Sequence, residues 1–519
     1  MKAFRMKFRY SKKLLYYFNT SAYRYQFNIF IIVITILCHG TAAIRKIKFE
    51  IGSYSIKRII MHKDVEKMYS KFRNLPRITV TLAAAAMLLG TFGPGGAIAG
   101  GTAGAGVILP LSTPTQVILA TTPAAPKAEA GQPLRIVAIG DSLTAGYELG
   151  MTIDAVPYGY VERVYEQALY RGRAELQNFG ILGLKTPGLL KLFDAAATGT
   201  RITAEGIQPG LSAYPLAEAT AAKSDRLAEE AKKADLILLT IGGNDFTPIF
   251  DAIRKEDLSA DQLQTRLDTL LDGYYPMLES ALRSVLGLNP KAAVVFSDQY
   301  LPAPKPSTLN QAITDEQYAV LIEGVDKLKA QTEAIAAKFE QEGFDVRTVD
   351  VALPFRGKEF GYTSILRGDI HPKQAGYDVM GRVFAKGIWG EYRDPDALAS
   401  GAPLRVVVRG KSLKGGNKPV LKNNTTFLPM RDVAEALNAT LAWDGKTRTA
   451  TIKSGDKTVA FTIDASTMKV NGQPVPLETP AYLQQVGGSS VTYLPLAALS
   501  KGLGYQVVYR KPIATVFIN

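Results

Sequence analysis

At 519 residues the chain is long enough for two or three domains, and 47% apolar with 21% charged residues excludes a disordered or collagen-like chain. The formal net charge of +14 suggests nucleic acid until it is located: residues 1–77 hold 17 of the 61 Lys and Arg but 3 of the 47 Asp and Glu, and the rest of the chain is balanced. The body is neutral, so no basic binding face is implied.

The basic N-terminal region, residues 1–99, reads as targeting sequence. From Met68 the chain passes Lys71, Arg73 and Arg77, then an apolar stretch from Ile78 to about Leu89, then Ala97-Ile98-Ala99. That is the layout of a secretory signal with cleavage after Ala99. The stretch is short for a bilayer span, as is a second apolar run from Ile29 to Leu37. The true start is read at Met61 or Met68, with the first 60 residues an over-extended reading frame; the alternative is a two-segment membrane anchor. The single cysteine, Cys38, lies in this region, so the exported chain has no disulfide and no thiol chemistry. Residues 100–133, rich in Gly, Ala, Thr and Pro, read as a linker.

A first domain is expected over residues 134–395. Four apolar runs read as buried strands: Leu134 to Ile139, Leu236 to Ile241, Ala292 to Phe296 and Phe344 to Val349. Helical periodicity lies between them. Val161, Val164 and Ala168 share one face, Leu263, Leu267, Leu271, Leu278 and Leu282 a second, and Leu321, Val325 and Leu328 a third. Alternating strands and helices predict an α/β fold, a three-layer α/β/α sandwich with a parallel sheet, which binds ligands at the carboxyl ends of its strands.

Candidate chemistry sits at those ends. Ile139-Gly140-Asp141-Ser142-Leu143 closes the first strand, placing Ser142 where a helix would open. Taken alone, Gly-Asp-Ser is also ordinary turn and N-cap chemistry, and it is not the Gly-x-Ser-x-Gly elbow. Asn178-Phe179-Gly180-Ile181-Leu182-Gly183 supplies glycines that let a backbone N–H approach a ligand, and Gly242-Gly243-Asn244-Asp245 places an amide side chain beside the first strand's end. Near the end of the domain comes Asp369-Ile370-His371-Pro372. His39 and His62 precede the secretion signal, so His371 is the one imidazole of the exported chain and the base of any serine hydrolase it forms. Taken alone, His371 reads better as a structural imidazole.

Jointly and in this order, the four blocks resemble the SGNH or GDSL family of esterases and lipases, over about Leu134 to Tyr392. The resemblance implies Ser142 as nucleophile, His371 as general base, and an oxyanion hole from the N–H groups of Ser142 and Gly183 and the amide of Asn244. It departs at one point: the family's aspartate lies three residues before the histidine, where this chain has Gly368. Asp369, two before, is assigned to orient His371. The alternative has Asp369 capping the helix after Pro372, leaving a Ser-His dyad oriented by a carbonyl. No cofactor is expected, and one mature histidine without cysteine does not make a zinc site.

Residues 396–403, small and proline-containing, read as a linker that lets the first domain fold alone. Residues 404–519 contain an internal repeat at an offset of 66: Thr426-Phe427-Leu428-Pro429-Met430 through Asn438 to Trp443 matches Thr492-Tyr493-Leu494-Pro495-Leu496 through Gly504 to Tyr509. Each copy reads as a turn, a short helix and then strands, a small α+β module. It resembles the copper amine oxidase N-terminal-like, or stalk, domain of exported bacterial proteins. With no His or Cys in this region, copper binding is not expected. Its reading is attachment to the cell envelope or its polymers, or a spacer without a ligand.

The expectation is an exported or envelope-associated bacterial serine esterase acting on small-molecule or polymer-borne esters. Two rivals are a non-catalytic envelope-binding protein on the same fold, and a lipase or phospholipase acting on long acyl chains. The segment from Leu184 to Tyr214, with Leu189, Leu190, Leu192 and Phe193, is read either as an apolar lid for such chains or as packed helix.

Overall fold

A computed structural model describes residues 124–152, 154–307, 312–423 and 425–519. The expected targeting segment, the alternative starts, Cys38 and most of the 100–133 linker lie outside the described residues.

Five strands form one sheet: β1 (Leu134–Gly140), β2 (Ala174–Gly180), β3 (Leu236–Thr240), β4 (Ala293–Ser297) and β5 (Val346–Val349), in the order β2-β1-β3-β4-β5. All four pairings are parallel. The period-two geometry of a strand divides each sequence between two cores. Val137 and Ile139 face one and Ile136 and Ala138 the other; Ile237 and Leu239 part from Leu236 and Leu238 in the same way. Because both faces are covered, β1 and β3 read as near-continuous apolar runs.

The first face is covered by α2 (Thr186–Ala197), α3 (Ser224–Lys232), α4 (Thr247–Lys255), α5 (Ala260–Leu288) and α6 (Asp315–Gln341). The second is covered by α1 (Tyr160–Leu169) and α7 (Gln374–Trp389). The two long helices begin at capping boxes, Ser259 with Gln262 and Thr314 with Gln317. The predicted faces of α1 and α5 are their buried faces. One strand, β2, was not expected. The segment from Leu184 to Tyr214 is not an apolar lid: Leu189, Leu192 and Phe193 are buried on α2 in the first core, and of the two readings the packed helix is the one observed.

Beyond Leu404 the chain is strand-rich. One sheet has the order β17-β18-β6-β7, with β6 Arg405–Val408, β7 Lys411–Ser412, β17 Val507–Arg510 and β18 Thr515–Ile518. A second, β15-β16-β9-β8, comprises Tyr482–Val486, Ser489–Pro495, Thr425–Pro429 and Val420–Lys422. A third runs in chain order from β10 (Thr440–Asp444) to β14 (Gln473–Pro476). The repeated segments predicted as turns are the paired strands β9 and β16, each entering a short helix, Met430–Ala436 or Leu496–Gly502, directly after Pro429 or Pro495. Leu428 pairs antiparallel with Leu494, its own equivalent at offset 66, so a local two-fold relation passes through that pair. Both helices then turn through a left-handed residue, Asn438 at φ 53° and Gly504 at φ 83°, again equivalent positions.

This module is not tethered by a free linker. Val407 and Phe517 belong to the same core as α1 and α7, and the Tyr170 and Phe517 rings meet edge to face at 4.9 Å. Gln506 exchanges two hydrogen bonds with the backbone of Ala174 on β2. Asn519 donates to the carbonyls of Leu169 and Gly172, and Arg510 pairs with Glu166 of α1 at 3.0 Å. The expectation that the first domain folds alone overlooked these contacts because the hydrogen bonds, the ion pair and the ring contact join residues more than 300 positions apart.

Candidate active site

The parallel sheet brings the ends of β1, β2 and β3 side by side. After β1, the backbone turns so tightly that a Cβ on Gly140 (φ +143°) would lie 2.0 Å from the Thr240 carbonyl oxygen, so no side chain fits. The N–H of Asp141 donates to that same carbonyl. The Asp141 carboxylate is buried and accepts from the N–H of Leu143 and the hydroxyl of Thr240, at 3.0 and 2.9 Å. Burial pushes its pKa up to about 6, against the lowering effect of those two bonds. The result fixes the turn that presents Ser142.

His371 reaches Ser142 from a loop braced against α7. Thr363 bridges Pro372, Ser364 N–H donates to the His371 carbonyl, and the Tyr300 hydroxyl donates to the carbonyl of Ile370. His371 Nε2 lies 2.8 Å from Ser142 Oγ, and Nδ1 lies 3.0 Å from Asp369 Oδ1. The same carboxylate oxygen accepts the His371 backbone N–H at 2.8 Å. With a carboxylate facing Nδ1, the ring proton is assigned there, leaving Nε2 to accept from the serine hydroxyl. Burial works to raise the Asp369 pKa, but the hydrogen bonds from His371 and the attraction of its ring hold the carboxyl below the usual carboxylate range. Helix α7 has Lys373 at its N-cap and no side-chain cap, so Asp369 is not its cap. The Tyr147 ring meets the imidazole edge on at 4.7 Å.

The remaining predicted residues converge on the same place. Gly183 is left-handed (φ +77°), and a Cβ there would lie 2.4 Å from the Tyr214 ring. Its carbonyl accepts from Gln208 Nε2 at 3.0 Å. Among the described residues neither its N–H nor that of Ser142 has a hydrogen-bond partner, which leaves two donors free. Asn244 donates one amide hydrogen to the Leu184 carbonyl at 2.9 Å, holding the side chain against the Gly183 loop and leaving its second hydrogen free. Asp245 ties the two loops by accepting from the N–H and hydroxyl of Thr186. Ser142, Asn244 and His371 thus line one cleft, Asp369 bonds His371, and Gly183 precedes the Leu184 carbonyl that holds Asn244.

A cleft opens from Ser142, enclosing about 780 Å³ including solvent at its mouth. Asp141, Asn244, Gln299, Tyr300 and His371 line it at the strand ends; Phe250, Leu267, Leu271, Leu321 and Leu328 line it on the helices. Sequence reading missed Tyr147, Gln299 and Tyr300, which have no motif. It missed the helical lining because Leu267, Leu271, Leu321 and Leu328 carry the same periodicity as core. Asp298, under this wall, accepts from the N–H groups of Val351 and Ala352, and burial pushes its pKa up to about 7. Among the described residues no cluster of His, Cys, Asp or Glu is arranged to hold a metal, and no helix is long and apolar enough to cross a membrane.

Residues 138–379 match the GDSL-like lipase/acylhydrolase family, and residues 407–518 match the copper amine oxidase N-terminal domain. Among solved structures, similarity is found to a lipase from a goat rumen metagenome (19% identity over 49% of this chain and 97% of that one, TM-score 0.35). It is found also to an extracellular lipase from Streptomyces rimosus (16%, covering 49% and 98%, TM-score 0.33) and to phospholipase A1 from Streptomyces albidoflavus (17%, covering 49% and 98%, TM-score 0.32). No curated protein matches. Residues 138–379 form a GDSL-like lipase/acylhydrolase domain, and the chain is an ester-hydrolysing enzyme that carries a copper amine oxidase N-terminal domain over residues 407–518.

Proposed function

We propose that this enzyme is an exported serine esterase working through an acyl-enzyme. The observation that carries the reading is the 2.8 Å approach of His371 Nε2 to Ser142 Oγ at the carboxyl end of β1. His371 takes the serine proton as Oγ attacks the ester carbonyl, and a tetrahedral intermediate forms. Its oxyanion is received by the free N–H groups of Ser142 and Gly183 and by the Asn244 amide. His371 then gives the proton to the leaving alcohol. Water, activated by the same imidazole, releases the acid and restores Ser142. Asp369 holds the ring in the required tautomer and stabilises the imidazolium. Export is supported by the signal-like stretch from Met68 to Ala99.

Hydrolysis of p-nitrophenyl acetate tests the reading. Wild type should turn the ester over, and Ser142→Ala and His371→Ala should each abolish turnover while keeping the wild-type melting temperature. Turnover surviving in a folded Ser142→Ala protein would exclude Ser142 as the nucleophile.

A further inference from the structure

The cleft at Ser142 changes character along its length. At the strand ends three of its polar side chains are already engaged by the protein. Asp141 accepts from Thr240 and Leu143, Gln299 donates to the Ile241 carbonyl at 3.0 Å, and Tyr300 donates to the Ile370 carbonyl at 2.7 Å. Farther in, the walls contributed by α4, α5 and α6 are apolar side chains only. A substrate group entering there finds no hydrogen-bond partner, so a sugar, phosphate or peptide would be desolvated without compensation, whereas a hydrocarbon chain gains by leaving water.

The α6 wall is the stripe Leu321, Gly324 and Leu328, which spans about 10 Å at 1.5 Å per residue, the reach of roughly eight extended methylene carbons. Gly324 lies inside a 27-residue helix, where glycine is less favourable than alanine. A packing reason is visible: a Cβ at Gly324 would lie 2.3 Å from Leu267 Cδ2. Leu267 of α5 rests on the bare backbone of α6 and, like Gly324, lines the cleft. A side chain at 324 would drive the flexible end of Leu267 off that backbone and into the channel.

We propose that the acyl chain of the substrate runs between α5 and α6, that the preferred substrates are medium-chain fatty acyl esters, and that Gly324 sets the accepted length by seating Leu267. This rests on Ser142 being the nucleophile at the mouth of the cleft.

The test compares p-nitrophenyl esters from acetate to decanoate. Wild-type kcat/KM should rise by about fourfold per added methylene while each carbon is buried. Gly324→Ala should lower the octanoate-to-acetate ratio of kcat/KM at least tenfold, mainly through the KM for octanoate. Leu267→Ala should extend the preference to longer chains, and the double variant should regain octanoate activity. Acetate and octanoate falling together in Gly324→Ala, or wild type preferring acetate, overturns the proposal while leaving the serine mechanism standing. Independently, calorimetry on Ser142→Ala protein should detect decanoate binding and none of acetate, with decanoate binding weakened by an added Gly324→Ala. Decanoate binding by Ser142→Ala, alongside a folded wild type that hydrolyses no ester, would retain the channel and sink the serine reading; no decanoate binding overturns the channel.

Discussion

The Arg510–Glu166 pair offers a stringent test of how the two parts of the chain depend on each other. Glu166 lies on α1 with its side chain 3% exposed, Arg510 comes from β17 with 16%, and they meet at 3.0 Å. Glu166 also accepts from the Tyr158 hydroxyl at 3.0 Å. Burial raises the Glu166 pKa, and Arg510 is the foremost influence holding it down. Arg510→Met removes the cation and leaves a buried carboxylate, a loss of about 3–5 kcal/mol in comparable pairs. At about 2 °C per kcal/mol for a large domain, the melting temperature should fall by about 6–10 °C. The pH dependence carries the sign. In the variant the folded-state pKa of Glu166 is raised above its unfolded value, so the neutral carboxyl is tolerated below the unfolded pKa and stability is lost as pH rises through the folded pKa. Differential scanning calorimetry from pH 5 to 8 should therefore show the gap from wild type widening upward in pH. Glu166→Gln/Arg510→Met should recover most of the loss, since no buried charge remains. A loss independent of pH, or a double variant no better than Arg510→Met, would refute the reasoning.

Three further outcomes follow from the same geometry. Asp369→Asn should retain the fold but favour the wrong imidazole tautomer, with kcat falling by about 10⁴-fold as in serine proteases; steady-state kinetics within a few-fold of wild type would exclude the orienting role. Asn244→Ala should lower kcat by about 10²- to 10³-fold, the worth of one oxyanion donor, with a smaller change in KM. A chain ending at Asp396 should be poorly soluble or melt well below the full chain, because it uncovers Glu166 and the sites filled by Val407 and Phe517; a stable, active truncation would contradict the shared core.

The sequence made the central fold legible where one physical signal dominated. Strands β1, β3 and β4 are apolar runs because both faces of a parallel sheet are covered, and α1 and α5 show their faces by period. Strand β2 escaped because it is an edge strand with Glu175 and Gln177 exposed, so its composition resembles a loop. The repeated Phe/Tyr-Leu-Pro segments read as turns because of Pro429 and Pro495, yet each proline ends its strand and begins the next helix. For the candidate site, residues carried by short blocks were visible, including Asp369 at its displaced position. Buried carboxylates such as Asp141 and Asp298 gave no signal, since their perturbation comes from packing. The union of the C-terminal module with α1 was equally silent: Arg510 and Glu166 are 344 positions apart, and nothing in either neighbourhood names the other.

The central claim is that Ser142 is an activated nucleophile. Incubation of the folded protein with a fluorophosphonate probe, followed by digestion and mass spectrometry, tests it directly. A single covalent adduct is expected on Ser142, formed more slowly in His371→Ala and absent in Ser142→Ala. An adduct on another residue, or none on folded wild-type protein, would contradict it.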